Sequence, residues 1–246
     1  MGLLSLPPVR QAELMDDPDL PEVEHLRALA ALAKINALSR TAPQIAAKVA
    51  SNVVREGTDP VHVVDLACGG GDVTLDCGRR LARSLGGREV VMVGVDFSRR
   101  GLEQAAARMT AARESCAGLP LRFTWVPRDI ASNGCLPCDV AISSLFLHHL
   151  EDDTVVRVLS SMASACRMGF VVSDLIRSRL GLALAVVGTS VISRSRVAQI
   201  DGPLSVRAAR TTAEYRALLA AAGLASAKIH RTWPQRVLIS WRRETP

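Results

Sequence analysis

The residues with the clearest chemical potential are three carboxylates, a glycine loop, a histidine pair and a cysteine pair. Asp65 lies near the end of the run Val61-His62-Val63-Val64-Asp65-Leu66, and Ala67-Cys68-Gly69-Gly70-Gly71 follows at once. Glycines after such a run let a ligand approach the backbone, because no Cβ intervenes. Asp96 and Asp129 close two later apolar runs, so acids recur where a ligand rich in donors would lie. His148 and His149 offer imidazoles, the side chain suited to accepting a proton from a phenol or an acidic carbon. Cys135-Leu136-Pro137-Cys138 has the spacing of a metal or redox pair. A structural zinc normally needs two such pairs, and a redox pair opens a helix, whereas this one precedes a strand. The expectation is a tight turn with reduced thiols, and no metal ligand is named.

These groups need elements to carry them. Strands are expected over Val61–Leu66, Glu89–Val95, Leu121–Val126, Cys138–Ser143 and Met168–Ser173, with helices over Val73–Leu85, Gly101–Glu114 and Asp152–Cys166 between them. Alternation of this kind predicts a doubly wound, mostly parallel sheet. Two last strands, Ala227–Trp233 and Arg236–Trp241, are joined only by Pro234-Gln235 and must be antiparallel. The full expectation is an α/β fold with seven strands and a terminal antiparallel hairpin.

Three segments lie outside that frame. Residues 1–21 carry prolines and acids and read as a mobile arm. Residues 22–58 read as a helical cap, with one helix over Glu22–Leu38 and another from about Ala42 to Glu56. Residues 59–246 form the main domain, interrupted by an insertion over 175–210. In that insertion Leu180–Ser193 is apolar on nearly every face and is expected in the core, at a dimer face or beside a pocket. Arg194–Arg207 reads as polar and rich in turns.

Composition narrows the partners. The chain has 246 residues, 48% of them hydrophobic, so it can bury a core. Aromatics make up 3%, which disfavours a single-strand nucleic-acid binder that stacks bases. The net charge of +6 comes from arginines spread along the chain rather than from a basic run. The apolar run is too short for a bilayer span, and the N-terminus lacks the pattern of a signal peptide. The expectation is a cytoplasmic protein, monomeric or homodimeric, with no nucleic acid and no stable membrane insertion.

The run from Val63 to Asp72, with Asp96-Phe97-Ser98 and Arg128-Asp129-Ile130, resembles the class I S-adenosylmethionine-dependent methyltransferases. Their first motif is an acid followed by Gly-x-Gly-x-Gly. Ala67 replaces the first glycine here, while Gly69 and Gly71 match. The resemblance implies S-adenosylmethionine as cofactor, held by Asp65, Ala67, Gly69, Gly71, Asp96, Phe97, Asp129, Ile130 and Ser143. Asp96 would take the ribose hydroxyls, Phe97 would pack on the adenine, and Asp129 would take its amino group. A dinucleotide-binding loop would instead show Gly-x-Gly-x-x-Gly, and Thr74 stands where its third glycine belongs.

A second, looser resemblance involves Leu29–Arg40, Phe170–Leu180 and Arg194–Arg207. These segments are similar to bacterial small-molecule methyltransferases encoded beside type III polyketide synthases. That likeness implies an enzyme of secondary metabolism. It would methylate an oxygen or carbon of a small, largely apolar acceptor that is phenolic, polyketide or quinone-like. His148 is the candidate base, with Asn36, Asp174, Arg177 and Arg207 as candidate acceptor-binding residues. Asp174 and Arg177 are expected to pair, and Leu182, Leu184, Val187 and Val191 to wall the acceptor. Asp174, Asp201 and Arg207 have an alternative role as staples of the insertion. Two alternatives to a small-molecule enzyme are a non-catalytic S-adenosylmethionine-binding module and a nucleic-acid methyltransferase. The latter lacks its Asn/Asp-Pro-Pro-aromatic motif, since Ser143-Ser144-Leu145-Phe146 stands there.

Overall fold

The computed structural model describes residues 6–17, 19–53 and 59–244. Helices α1 (Glu22–Leu38) and α2 (Thr41–Asn52) precede the first strand. The proposed extension of the second helix to Glu56 lies outside the described residues. Strand β1 (Val61–Leu66), helix α3 (Asp72–Ser84), strand β2 (Val90–Asp96), helix α4 (Arg99–Ala111) and strand β3 (Leu121–Pro127) follow. A single turn, α5 (Ile130–Asn133), leads to β4 (Cys138–Ser144), α6 (Asp152–Ala165) and β5 (Cys166–Leu175).

The strands form one sheet in the order β3-β2-β1-β4-β5-β7-β6, where β6 is Lys228–Thr232 and β7 is Arg236–Arg242. All neighbours from β3 to β5 run parallel, and β7 is antiparallel to both β5 and β6. The expected sheet and hairpin are therefore present. The chain winds outward from β1 to β3 and returns at β4, so loops diverge between β1 and β4 at their carboxyl ends. Such a switch point leaves a crevice for a ligand.

Both faces of the sheet are covered, as a parallel sheet requires. Val63 points into a layer with Ile45, Val49, Leu81 and Met92. Its neighbour Val64 points into the opposite layer with Leu159, Met162, Phe170 and Tyr215. Trp125 on β3 sits beside Gly94 on β2. A Cβ at Gly94 would lie 2.4 Å from the indole, and one at Gly71 would lie 2.9 Å from it. The missing side chains thus let one aromatic ring close the space between the sheet and the glycine loop.

The insertion differs from expectation in two respects. Leu180–Ser193 forms α7 (Arg179–Ile192), but only Gly181 and Thr189 in it are buried. Val187 is 61% and Val191 80% exposed, because one face of α7 looks outward. The stretch after it is not a set of turns but a helix, α8 (Arg196–Ala208), started by the Ser195 side chain accepting from Ala198 N–H. Pro203 occurs inside it, where local composition suggested a break. A last helix, α9 (Thr212–Ala221), starts with a capping box between Thr211 and Glu214.

The segment read as a mobile arm makes specific contacts over residues 6–17. Asp201 accepts from Leu14 and Met15 N–H at 2.9 and 3.0 Å. Ser205 Oγ donates to Glu13 at 2.5 Å, and Arg10 pairs with Glu151 and Asp152. Asp201 is therefore spent on the arm rather than offered to a ligand. Among the described residues no helix is long and apolar enough to cross a membrane.

The Gly94–Trp125 contact yields a simple expectation. Gly94→Ala should destabilise the fold by about 1–3 kcal/mol through overpacking. Urea unfolding should show a lower midpoint with an unchanged slope. An unchanged midpoint would show that the indole moves aside freely.

Candidate functional site

The crevice opens into a cavity of about 1060 Å³. Binding pockets span roughly 300–1,000 Å³, so there is room for two small molecules side by side. Its two halves are built from different parts of the chain.

The first half uses the carboxyl ends of β1, β2 and β3. Ala67 and Gly69 take left-handed backbone conformations, with φ of 57° and 50°. These turns bring bare backbone to the cavity wall. Asp96 fixes the loop, since its Oδ2 accepts from Gly69 N–H and its Oδ1 from Ser98 N–H, both at 2.8 Å. Burial raises the Asp96 pKa, against the lowering effect of those two bonds. A carboxylate has about four acceptor positions, so this one retains capacity toward the cavity. Phe97 follows it and presents an exposed ring to the same space. Asp129 caps α5, accepting from Ala131 N–H and from the Ser132 hydroxyl. Ile130 begins that turn, and both residues line the cavity.

Three expected members of this half stand behind the wall. Asp65 is buried and accepts the Thr74 hydroxyl at 2.6 Å, tying β1 to α3. Gly71 packs on Ala105 and Trp125. Ser143 donates to the Leu66 carbonyl, and its neighbour Ser144 reaches the cavity instead.

The second half is apolar and comes from the additions. Leu29, Leu32 and Ile35 of α1, Leu184, Gly188 and Ile192 of α7, and Trp233 of the hairpin turn line it. Of the four wall residues expected on α7, only Leu184 lines the cavity; Val187 and Val191 face out. Asn36 lines it but is already engaged, donating to Asp72 at 3.0 Å and accepting from Arg236 at 3.1 Å. Arg236 is fully buried at the start of β7 and also donates to Thr41 at 2.7 Å. Burial lowers its pKa to about 10, and Asp174 and Asp72 oppose that fall.

His148 lies where the halves meet. Leu145, at φ 54°, turns the chain sharply after β4, and a short 3₁₀ turn over Leu147–His149 follows. His148 Nδ1 sits 2.6 Å from Asp174 Oδ1, and the His148 and Leu175 N–H groups also donate to that carboxylate. Asp174 itself does not reach the cavity. Burial would raise its pKa, yet His148 and these bonds leave it lowered. An ionised carboxylate only accepts, so Nδ1 carries the proton and Nε2 is the basic nitrogen. His149 differs. Burial works against its charge, but the Asp16 contact and the charges of Glu13 and Asp16 raise its pKa to about 9. It is therefore cationic at neutral pH.

The expected Asp174–Arg177 pair does not form. Arg177 instead donates to the carbonyls of Leu6 and Ala209 and to Glu214, fastening the arm and α9 to the sheet end. Arg207 is exposed on α8 and does not line the cavity. Glu13 and Asp16 do line it, and sequence reasoning missed them because an acidic arm without periodicity carries no signal of where it docks. The ligand atoms of Glu13, His148 and His149 lie within 4.8 Å of one another.

The comparisons agree with this geometry. Residues 63–169 match a family model described as a methyltransferase domain. Those residues form a methyltransferase domain, set in the fold of class I S-adenosylmethionine-dependent methyltransferases. This methyltransferase is similar in fold to magnesium protoporphyrin IX methyltransferase from Synechocystis PCC 6803, solved with bound S-adenosylhomocysteine. The two are 18% identical over 93% of this chain and 90% of that one, with a TM-score of 0.55. Human N-acetylserotonin methyltransferase, solved with S-adenosylmethionine, is 16% identical over 90% of this chain and 57% of that one, at a TM-score of 0.56. The plantazolicin methyltransferase BpumL is 14% identical over 91% and 96%, at 0.54. No curated protein sequence matches the chain.

Asp65 gives the methyltransferase a distinctive pH response. Burial pushes its pKa up to about 7, against the Thr74 bond. An unfolded aspartate titrates near about 4. Between those values the folded state binds more protons, so stability falls as pH rises through the window. Asp65→Asn cannot ionise and should lack that fall. Thermal melts across pH 4 to 8 should show a flatter profile for the variant, and parallel profiles would contradict the assignment.

Proposed function

We propose that this methyltransferase methylates an oxygen or acidic carbon of a small, largely apolar acceptor, with His148 as the base. One observation carries the reading. A buried imidazole, held in one tautomer by Asp174, lines a cavity whose other wall is aliphatic. A phenolic, polyketide or quinone-like acceptor suits that wall, and a phosphate backbone suits it poorly. Fold neighbours include a porphyrin methyltransferase and an N-acetylserotonin methyltransferase, both of which act on small molecules. We place the reaction in cytoplasmic secondary metabolism.

The residues present fit the cofactor. Asp96 retains acceptor capacity for ribose hydroxyls, Phe97 offers a ring face to the adenine, and Ala67 and Gly69 bring bare backbone to the wall. Asp129 and Ile130 stand at the adenine end, with Asp129 largely committed to its cap. S-adenosylmethionine, when bound, supplies an electrophilic sulfonium methyl. The chain then has two tasks. It must align the acceptor, which α1, α7 and the hairpin turn do by shape. It must also take the acceptor proton, which His148 Nε2 does while Asp174 stabilises the imidazolium that forms. Cationic His149 is the weaker candidate, since it already holds its proton.

Two variants separate the halves. Asp96→Ala should weaken S-adenosylhomocysteine binding by about 1.5–3 kcal/mol, the scale of bonds to a charged acceptor. Gly188→Leu fills the acceptor side and should depress turnover while leaving that affinity near wild type. Calorimetry and a methylation screen read both. Equal loss of affinity in the two variants would sink the division.

His148→Ala should lower kcat by roughly 10²–10⁴-fold, the usual share of a general base. Asp174→Asn should do so in part, with S-adenosylhomocysteine affinity retained in both. EDTA should not change turnover, because Asp174 occupies His148 Nδ1 and His149 keeps its proton. Magnesium-dependent rescue after EDTA would instead assign Glu13, His148 and His149 to a metal. Tight cofactor binding without methylation of any acceptor would favour the non-catalytic module.

A further inference from the structure

The cysteine pair at 135 and 138 gains a third member in the fold. Cys138 opens β4 and Cys166 opens β5, and the two residues are direct partners in the parallel register. Their sulfurs lie 3.5 Å apart. Cys135 reaches the same point from the turn after α5. Gly134, at φ 66°, reverses the chain there, and Cys135 N–H donates to Ser161 Oγ at 2.8 Å, which fixes the turn against α6. All three sulfurs fall within 4.8 Å of one another. Cys138 and Cys166 are buried, and Cys135 is half-buried, leaving an entry path.

We propose that Cys135, Cys138 and Cys166 form a binding site for a soft d¹⁰ metal ion, Zn²⁺ or Cu⁺. Two features support it. Thiolate-only donor sets select such ions over magnesium, calcium or manganese. Sulfurs at the usual metal–sulfur length of about 2.3 Å stand about 4 Å apart around a three-coordinate ion, within the span observed. Binding an ion displaces the thiol protons to solvent.

The site is remote from the reaction. It sits at the amino ends of β4 and β5, and none of the three cysteines lines the large cavity. It joins β4, β5 and the α5 turn, so an ion there clamps the sheet without touching either substrate.

The test is equilibrium dialysis of the reduced, full-length protein against Zn²⁺ and, anaerobically, Cu⁺. Metal is counted per chain, and thermal melts are run with and without it. One equivalent of either ion is expected, with a higher melting temperature and unchanged methyl transfer; the two arms show which ion is preferred. Cys135→Ser and Cys166→Ser should each weaken binding at least tenfold, while Cys116→Ser should not. Far-UV spectra confirm that each variant folds, and Cys135→Ser, at the half-buried position, is the safer of the two. Failure of both ions to bind a protein with fully titratable thiols, or equal binding by Cys135→Ser and wild type, would overturn the proposal.

Discussion

Asp174 is a carboxylate with no exposure at the end of β5, and much of the acceptor side follows from satisfying it. An ionised carboxylate in the interior is costly unless every lone pair finds a donor. The donors here are Leu175 N–H on its own strand and the main chain and ring of His148. Meeting that demand forces the segment after β4 to fold back at Leu145 and dock as a tight turn. Leu145 N–H in turn donates to Ser173 O, closing the turn from the other side. Arg210 completes the frame by capping the carbonyls of Leu147 and Leu150 while pairing with Asp152. A histidine held by so many fixed groups cannot drift, which is what a base needs when the reacting atoms must meet at close range.

The same constraint separates the molecule into a general and a particular half. On the cofactor side, Asp96 binds Gly69 and Ser98, so one acid both shapes the loop and faces the cavity. On the acceptor side, the shaping and the contact are divided among residues. Asp174 holds His148, Arg236 holds Asn36, and Ser205 holds Glu13, and in each pair the second residue meets the cavity. The aliphatic side chains that α1 and α7 add to the wall carry no polar group, and their placement rests on packing.

Sequence patterns revealed the general half well because it depends on backbone rules. A Gly loop after a β-branched run, acids at successive strand ends and a two-residue link before the last strand each have one structural solution. They located Asp96 and Asp129 at the cavity and the hairpin in its antiparallel place, and the family resemblance added Phe97 and Ile130. The same patterns could not show that Asp65 faces α3, because a strand-end acid looks alike whether it meets a ligand or Thr74. They also misplaced charged residues of the insertion. Arg177 is three residues from Asp174, yet its guanidinium turns to Glu214 and two carbonyls supplied by distant segments. Val187 and Val191 illustrate the limit of hydrophobicity. Four apolar residues on α7 look equivalent in sequence, and only packing against the rest of the fold decides which of them turn inward.

The charges around His148 give these long-range contacts a chemical consequence. Glu13 and Asp16 arrive from the arm and surround His149, which is held as a cation. The two imidazoles lie 4.3 Å apart. Arm docking also brings Glu13 to 3.8 Å from His148 Nε2, so the arm sets the surroundings of both rings. Arm docking depends in turn on Asp201 and Ser205 of α8, one turn apart on the helix. The insertion therefore governs the acceptor half twice, through the aliphatic wall of α7 and through the acids that α8 brings to the histidines.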